Sequence, residues 1–281
     1  MRAEGDFRAR KSLGQNFLIH EGVVNRIVAA AGLQPGEPVL EIGPGRGALT
    51  RLLARSAERV VAVEKDPWLV DYLGGKLGAW GLGHVRLVQA DILRWDFGEL
   101  DAGRGPRFVV LGNIPYNISS PLIETLLRHR GLFSRAILML QQEMAARLTA
   151  APGGKAYGAM TVLVRYATSV THVMEVSREA FRPQPKVDST VVRFDFEAAY
   201  PRRAHDEAVF RRVVKGAFGH RRKTLMNALL RMPDPWPGEQ LEAAFERCGI
   251  EPRRRAETLG MEEFLCLGDA LSLTNSNTGD R

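Results

Sequence analysis

Val39-Leu-Glu-Ile-Gly-Pro-Gly-Arg-Gly-Ala-Leu-Thr50 is the stretch of sequence that decides the fold. An apolar strand runs into a glycine-rich turn, and leucines then follow at the spacing of an amphipathic helix. The glycines let the backbone turn sharply and approach a ligand closely. Farther along, the apolar run Val60–Val63 ends at Glu64, whose carboxylate can bind both hydroxyls of a ribose. The two segments predict an α/β sheet with a nucleotide-type cofactor at its carboxyl edge.

The glycines alone do not identify that cofactor, because they also fit the loose G-x-G-x-x-A fingerprint of NAD-binding proteins. The residues around them favour S-adenosylmethionine. Glu41 comes just before the glycines, where a carboxylate can face a cationic amino-acid group rather than a pyrophosphate. The next predicted strand ends at Asp91 and Ile92, which places a side-chain acceptor where an adenine amine can bind.

A fourth apolar run, Phe108–Leu111, is followed by Asn113-Ile-Pro-Tyr116. This combination suits the binding of a flat ring that carries an exocyclic amine. The Asn113 side chain and a backbone carbonyl of residue 114 or 115 can accept the two amine hydrogens, and Tyr116 supplies a stacking face. Taken alone, the stretch would more simply be a strand that ends in a proline turn. The upstream cofactor motif favours a catalytic site instead.

Five segments resemble those of the small-subunit ribosomal RNA adenine dimethyltransferases, which are S-adenosylmethionine enzymes that act on 16S rRNA. They are Lys11–Leu18 (the N-terminal cofactor lid), Glu41–Thr50 (the glycine loop), Asn113–Tyr116 (the catalytic tetrapeptide), Phe181–Asp188 (the target-base loop) and Phe218–Lys223 (a basic segment of the C-terminal domain). Because they follow one another in the family's order, the chain is identified as a member of that family.

The resemblance implies roles for individual residues. The implied cofactor-binding residues are Gln15, Asn16, Leu18, Glu41, Gly43, Gly45, Glu64, Asp91, Ile92 and Asn113. The implied catalytic residues are Asn113, Pro115, Tyr116 and Phe181, with Phe181 clamping the base against Tyr116. The implied RNA-binding residues are Arg221, Arg222 and Lys223. Helix-capping or turn roles are the alternative for Asn16 and Asp91, and packing is the alternative for Phe181.

The resemblance also implies an activity, which is dimethylation of N6 of two adjacent adenosines in a hairpin loop near the 3′ end of 16S rRNA, with a role in small-subunit biogenesis. The partner is then 16S rRNA within the small ribosomal subunit or its precursor. A resistance-type 23S rRNA adenine methyltransferase would share the catalytic core but differ in its C-terminal part. An NAD-dependent oxidoreductase is disfavoured because no acid for hydride transfer is evident. A non-catalytic assembly factor would not need Asn113, Tyr116 and Glu64.

Composition is consistent with this function. The chain has 281 residues, of which 45% are hydrophobic, and a net charge of +7. No apolar run approaches the ~20 residues of a membrane span, and the charged start is not a signal peptide, so we expect a cytoplasmic protein. Cys248 and Cys266 are therefore expected to be reduced core residues. The scattered histidines predict no metal site, and we expect a monomer. Lysine and arginine clusters after residue 200 favour an RNA-facing surface.

The predicted fold class is α/β: a Rossmann-like S-adenosylmethionine methyltransferase sheet with an antiparallel C-terminal hairpin, plus a small all-α C-terminal domain. Strands and helices alternate from residue 38 to about 166, and two further strands flank residues 178–186. We expect a methyltransferase domain at 1–198 with a mobile lid at 1–20, and a helical, basic RNA-docking domain at 199–273. Residues 274–281 are polar and are expected to be a disordered tail.

Overall fold

A computed structural model of the chain describes residues 9–10, 13–100, 105–220 and 222–276. The strands in these ranges are β1 (Phe17–Leu18), β2 (Val39–Ile42), β3 (Val60–Glu64), β4 (Val85–Gln89), β5 (Phe108–Asn113), β6 (Phe133–Gln141), β7 (Ser169–Val176), β8 (Phe181–Arg182) and β9 (Ser189–Asp195). The helices are α1 (Glu21–Ala31), α2 (Thr50–Ser56), α3 (Pro67–Ala79), α4 (Ser119–Arg128), α5 (Gln142–Thr149), α6 (Ala159–Ala167), α7 (Glu207–Gly219), α8 (Leu225–Leu229), α9 (Gly238–Cys248) and α10 (Met261–Ser276).

Seven of the strands form one sheet in the order β4-β3-β2-β5-β6-β9-β7. Strands β2 to β6 run parallel to one another, and β9 lies antiparallel between β6 and β7. The predicted fold class is confirmed, including the antiparallel end of the sheet. The chain reverses its direction of winding at β2, which pairs with β3 on one side and β5 on the other. Open α/β sheets bind ligands at such a switch point.

The central strands form the core of the sheet. Every residue of β2 and β3 is buried, as are the first five residues of β5. Near-continuous apolar runs are typical of parallel strands that are covered on both faces. Two carboxylates interrupt them, because Glu41 is 1% exposed and Glu64 is 7% exposed. Both lie close to the carboxyl ends of their strands, which is where a binding site is expected.

A second, two-stranded sheet fixes the segment that precedes α1. Strand β1 pairs antiparallel with β8, so that Leu18 lies opposite Phe181. The Ile19 N–H donates to the Ala180 carbonyl at 2.9 Å and extends this pairing. Residues 17–19 of the predicted lid are therefore joined by backbone bonds to residues 180–182. Lys11 and Ser12, which belong to the same motif, lie outside the described residues.

The chain divides into two compact units, one of residues 1–145 and 169–198 and one of residues 146–168 and 199–281. The second unit includes residues 146–168, which the sequence analysis assigned to the methyltransferase domain. Side-chain contacts explain this difference: the Tyr166 ring lies 4.5 Å from the Phe210 ring, and the Tyr157 hydroxyl donates to the Leu259 carbonyl at 2.9 Å. The assignment of separate functions to the two parts of the chain stays a prediction.

The sequence pattern after residue 196 predicts helices at 207–217, 222–231 and 239–248, and two helices of the second unit differ from this expectation. Helix α10 was not predicted, and it extends to Ser276, so residues 274–276 are helical rather than part of a disordered tail. Its first half supplies fully buried residues, among them Phe264 and Leu265. Helix α8 begins only after Thr224, whose hydroxyl accepts from the Asn227 N–H, and this cap leaves Arg222 and Lys223 in the preceding loop.

The expectation that both cysteines are reduced is wrong for this structure. Cys248, at the end of α9, forms a disulfide with Cys266 of α10. Their Cα atoms lie 5.8 Å apart, which is within the range that a disulfide spans. Sequence reasoning missed the pair because it considered only the cellular compartment, whereas the packing of α9 on α10 brings the two side chains together.

Candidate active site

One cavity lies at the switch point of the sheet, within the first unit. The empty space within it, including solvent in the open mouth, is about 1230 Å³, so the cavity is open to a ligand from the surface. The sequence-predicted residues that line it are Gln15, Asn16, Leu18, Glu41, Gly43, Gly45, Glu64, Asp91, Ile92, Asn113, Pro115 and Tyr116. The structure thus brings together residues from β1, the ends of four sheet strands and the tetrapeptide.

The Glu64 carboxylate is fixed by two backbone N–H groups. Its Oε2 accepts from Gly45 at 3.1 Å and its Oε1 accepts from Asp66 at 2.9 Å. Gly45 has a φ of +57°, a conformation that side chains disfavour, and this turn points its N–H at the carboxylate. Burial nevertheless raises the pKa of Glu64 above its ordinary value. Each carboxylate oxygen keeps a further lone pair, so the group is oriented and still able to accept hydrogen bonds from a diol.

Glu41 is more deeply buried than Glu64, and its carboxyl group is less completely hydrogen-bonded. Within the described part of the chain, its Oε2 has no hydrogen-bond partner, although it lies in a wall of the cavity. Burial raises the pKa of Glu41 to about 8. An unpartnered carboxyl oxygen at a cavity is an arrangement that a cationic ligand group would stabilise. Gly43, beside it, has open space where a Cβ would stand, so the cavity is unobstructed there.

Asn113 and Tyr116 are both held in defined orientations. The Asn113 amide nitrogen donates to the Asn16 carbonyl at 2.8 Å, which leaves its Oδ1 as the atom available to a ligand. The Tyr116 hydroxyl lies 3.1 Å from the Ser189 Oγ, at the start of β9. The tetrapeptide is therefore positioned from two sides, by the segment before α1 and by β9.

Two further contacts shape the rim of the cavity. Asp91 accepts from the Leu93 N–H at 3.1 Å and forms an ion pair with Lys65 at 2.9 Å, which lowers its pKa. It therefore has the turn role that was the alternative for it, and it also lines the cavity. Gln15 donates from its Nε2 to Asp66 at 2.9 Å, so the N-terminal segment is tied to the loop after β3.

Phe181 is placed differently from the expectation. It is only 1% exposed, does not line the cavity, and packs in the core cluster that includes Leu18, Met174 and Val191. Its backbone pairs with β1, which points the ring inward. This placement agrees with the packing alternative, and the clamp on the target base stays a prediction.

The lysines and arginines in the basic clusters of the second unit differ in whether their charges are neutralised by ion pairs. Arg202, Arg203, Arg211, Arg212 and Arg254 form ion pairs with carboxylates of the same unit. Within these clusters, the exposed Arg222, Lys223, Arg253 and Arg255 form no such pair with the described part of the chain. The Leu225 N–H donates to the Arg254 carbonyl at 2.7 Å, so the two pairs of cations lie on neighbouring loops. Arg221 lies outside the described residues.

Sequence reasoning missed several residues at the cavity. Asp66 is fully buried, and it binds Gln15 and caps α3 through the Trp68 N–H at 3.0 Å. Leu69 and Arg46 line the cavity, whereas Asp66 does not. The signal for Asp66 was available, since an aspartate before Pro67 is typical of a helix start. Among the described residues no group of three or more acidic, histidine or cysteine side chains is placed to hold a metal ion.

The sheet order, the glycine turn and the fixed carboxylate at the end of β3 define the class of Rossmann-like methyltransferases. Residues 6–272 match the model of the family described as ribosomal RNA adenine dimethylase. The chain belongs to this family, whose members are S-adenosylmethionine-dependent methyltransferases. It is 47% identical to a ribosomal RNA small subunit methyltransferase A of Geobacter metallireducens over 96% of this chain and 98% of that protein.

Solved structures agree with the family assignment. A dimethyladenosine transferase from Plasmodium falciparum is 28% identical, with a TM-score of 0.76 over 93% of this chain and 98% of that one. The 23S rRNA methyltransferase ErmE is 30% identical, with a TM-score of 0.66 over 92% of this chain and 100% of that one. Among the described residues, no helix has the length and apolar character needed to span a bilayer.

Proposed function

We propose that this enzyme transfers methyl groups from S-adenosylmethionine to N6 of two adjacent adenosines in a hairpin loop near the 3′ end of 16S rRNA, and dimethylates each. The substrate is the cytoplasmic small ribosomal subunit or its precursor. The observation that carries the proposal is that Asn113 and Tyr116 share one cavity with Glu64, in a chain of the adenine dimethylase family. The 47% identity to a ribosomal RNA small subunit methyltransferase A over 96% of this chain favours the small subunit.

S-adenosylmethionine, when bound, supplies an activated methyl group on a sulfonium centre. Glu64, held by two backbone N–H groups, is the residue suited to the ribose hydroxyls. Glu41, with an unpartnered oxygen, is suited to the cationic amino-acid end. Asp91 and Ile92 lie where the adenine is expected. These residues bind and orient the cofactor, and none of them has to transfer a proton.

The target amine needs two acceptors, because the lone pair of adenine N6 is delocalised into the ring. The Asn113 Oδ1 is one of them, since the amide nitrogen is already bound to the Asn16 carbonyl. For the second, the Pro115 carbonyl already accepts from the Ile118 N–H at 3.1 Å, so we assign the Ile114 carbonyl. Two acceptors that draw the amine hydrogens favour a more tetrahedral nitrogen, and correct positioning then supplies much of the rate.

Tyr116 provides the stacking face for the extruded adenine. Its hydroxyl is engaged by Ser189 and its ring lines the cavity, so the ring is fixed before a base arrives. Stacking on a fixed ring is worth about 1–3 kcal/mol per base. This is comparable with the few kcal/mol that taking a base out of its stack requires. Tyr116 therefore offsets much of the cost of base extrusion.

The second unit contributes the docking surface. Arg222, Lys223, Arg253 and Arg255 carry charges that no carboxylate of the described chain neutralises. Such cations suit phosphate contacts, which set affinity and register without reading the sequence. We include Arg221 on the strength of the family resemblance alone.

The proposal is tested with small subunits from a strain that lacks this methylation. These small subunits and, in a parallel reaction, large subunits are incubated with the enzyme and methyl-labelled S-adenosylmethionine, and the labelled bases are mapped. Label in two adjacent adenosines near the 3′ end of 16S rRNA is the expected result, with Asn113→Ala as the inactive control. Label in 23S rRNA alone would establish the large-subunit alternative. No transfer to either subunit would overturn the proposed activity.

A further inference from the structure

Arg46 supplies a positive charge to the wall of the cavity. It lies in the glycine turn after β2, is exposed, and lines the cavity. Among the described residues one other lysine or arginine lines the cavity, namely Lys65, which forms an ion pair with Asp91 at 2.9 Å. That pair follows β3 and β4, on the side of the cavity proposed for the adenine of the cofactor. Arg46 is therefore the cation on the other side, at the end of β2.

The Arg46 guanidinium is positioned by an aromatic ring. Its Cζ lies 5.2 Å from the centroid of the Phe17 ring, and Phe17 also lines the cavity. The ring packs against the glycine turn as well, because a Cβ on Gly45 would lie 3.2 Å from its atoms. Phe17 itself is held in β1 by the pairing with β8. A guanidinium over an aromatic face is attracted by the π electrons, so the side chain has fewer orientations to lose when an anion binds.

A neighbouring carboxyl group indicates which anion Arg46 would bind. Glu41, which has an unpartnered oxygen among the described residues and lies in the same wall, suits the ammonium at the amino-acid end of the cofactor. In an α-amino acid the carboxylate is attached to the same carbon as the ammonium, so the group that binds it must lie close to Glu41. Arg46 meets this condition, because it is in the turn that follows the same strand. A guanidinium can donate two parallel hydrogen bonds to a carboxylate.

We propose that Arg46 binds the carboxylate at the amino-acid end of the cofactor. Glu41 and Arg46 then act as a complementary pair at the end of β2, one for the ammonium and one for the carboxylate. The inference rests on the orientation of the cofactor given under the proposed function, and it adds the residue that fixes the amino-acid end. A phosphate of the bound RNA is another oxyanion that a guanidinium at an open cavity can contact, and the test distinguishes these two sources.

The test is calorimetry of Arg46→Gln with two ligands in the absence of RNA. One ligand is S-adenosylhomocysteine, the demethylated cofactor, and the other is its decarboxylated analogue, which lacks only the carboxyl group. Arg51→Gln is the matched control. Arg51 is exposed, its Cζ lies 5.7 Å from the centroid of the Trp80 ring, and it does not line the cavity. The control therefore removes the same charge and the same kind of ring contact, a few residues farther along the chain.

For Arg46→Gln we expect affinity for S-adenosylhomocysteine to fall about tenfold, as for the loss of hydrogen bonds between charged groups. Its affinity for the decarboxylated analogue should equal that of wild type, which also shows that the variant is folded. Arg51→Gln should match wild type with both ligands. A second variant, Arg46→Lys, keeps the charge but loses the planar group with two parallel donors, so its loss of affinity should be smaller than that of Arg46→Gln.

Wild-type affinity of Arg46→Gln for S-adenosylhomocysteine would overturn the inference. If that variant then bound small subunits with a flattened log–log salt slope, the oxyanion would be an RNA phosphate instead. An equal loss with both ligands would also overturn it, because the carboxylate would not be the group whose contact is lost. A wild-type enzyme that binds S-adenosylhomocysteine but does not methylate small subunits would refute the proposed function and leave this inference standing, so the two failures are distinguishable.

Discussion

The Glu41 carboxyl should make the folded first unit less stable as pH rises. Its side chain is 1% exposed, one of its oxygens is unpartnered among the described residues, and burial raises its pKa from 4.5 to about 8. Between these two values the folded protein holds a proton that the unfolded chain has released. The free energy of unfolding then falls with increasing pH, by about 1.36 kcal/mol per pH unit for one proton. Glu41→Gln removes this titration.

The expected result is a difference that grows with pH. Relative to wild type, the free energy of unfolding of Glu41→Gln should rise by about 2.7 kcal/mol between pH 5.5 and pH 7.5, which is two pH units at one proton. The glutamine has its own cost, because its buried amide needs hydrogen-bond partners. That cost does not depend on pH, so the slope of the difference isolates the carboxyl.

Urea unfolding followed by tryptophan fluorescence gives the measurement. The chain has four tryptophans, and Trp236 alone belongs to the second unit. Both proteins are therefore prepared with Trp236→Phe, so that the remaining three report on the first unit. Parallel curves for the two proteins across this pH range would refute the raised pKa of Glu41. With saturating demethylated cofactor the wild-type slope should flatten, because an ammonium group beside Glu41 stabilises its ionised form.

Three further predictions concern the cavity and the docking surface. Glu64→Ala should weaken binding of the cofactor by ~1.5–3 kcal/mol, the worth of hydrogen bonds to a charged group, as measured by calorimetry; an unchanged dissociation constant would remove Glu64 from the site. Asn113→Ala should abolish most turnover with cofactor binding retained, whereas Tyr116→Phe should be mild and Tyr116→Ala severe in single-turnover assays; a severe effect of Tyr116→Phe would indicate proton transfer by the hydroxyl. Substitution of Ala for Arg222, Lys223, Arg253 and Arg255 together should weaken binding of the small subunit. The log–log slope of binding against salt should flatten by roughly 0.7–0.9 per lost phosphate contact, and the methylated positions should not change. An unchanged slope would place the docking surface elsewhere.

The sheet and the cavity were predictable because their signals are local. Glu41, Glu64 and Asn113 each follow or end an apolar run, and parallel strands bring their carboxyl ends to one edge whatever the rest of the chain does. Local signals do not identify Asn16, which was predicted only from the family resemblance. Its carbonyl accepts a hydrogen bond from Asn113, which lies 97 residues away in the sequence. No periodicity in the sequence encodes that contact.

The misplaced features depend on tertiary packing. Phe181 has the same sequence context whether its ring faces a base or the core, and only the pairing of β8 with β1 decides that it is buried. The two cysteines come together because α10 packs on α9, and α10 itself was missed. The charge clusters were misleading for the same reason, because a run of arginines in the sequence does not show which of them form ion pairs with carboxylates in the fold.

Ion pairing with neighbouring carboxylates therefore distinguishes the cations that stabilise the fold from those that we propose to dock RNA. Arg254 stands between Arg253 and Arg255 in sequence, yet it pairs with Glu263 while its neighbours stay exposed and unpaired among the described residues. Removal of Arg254 would leave a partly buried carboxylate without its partner, and the loss would appear as instability. Removal of Arg253 or Arg255 would leave no such group, and the loss would appear in RNA affinity.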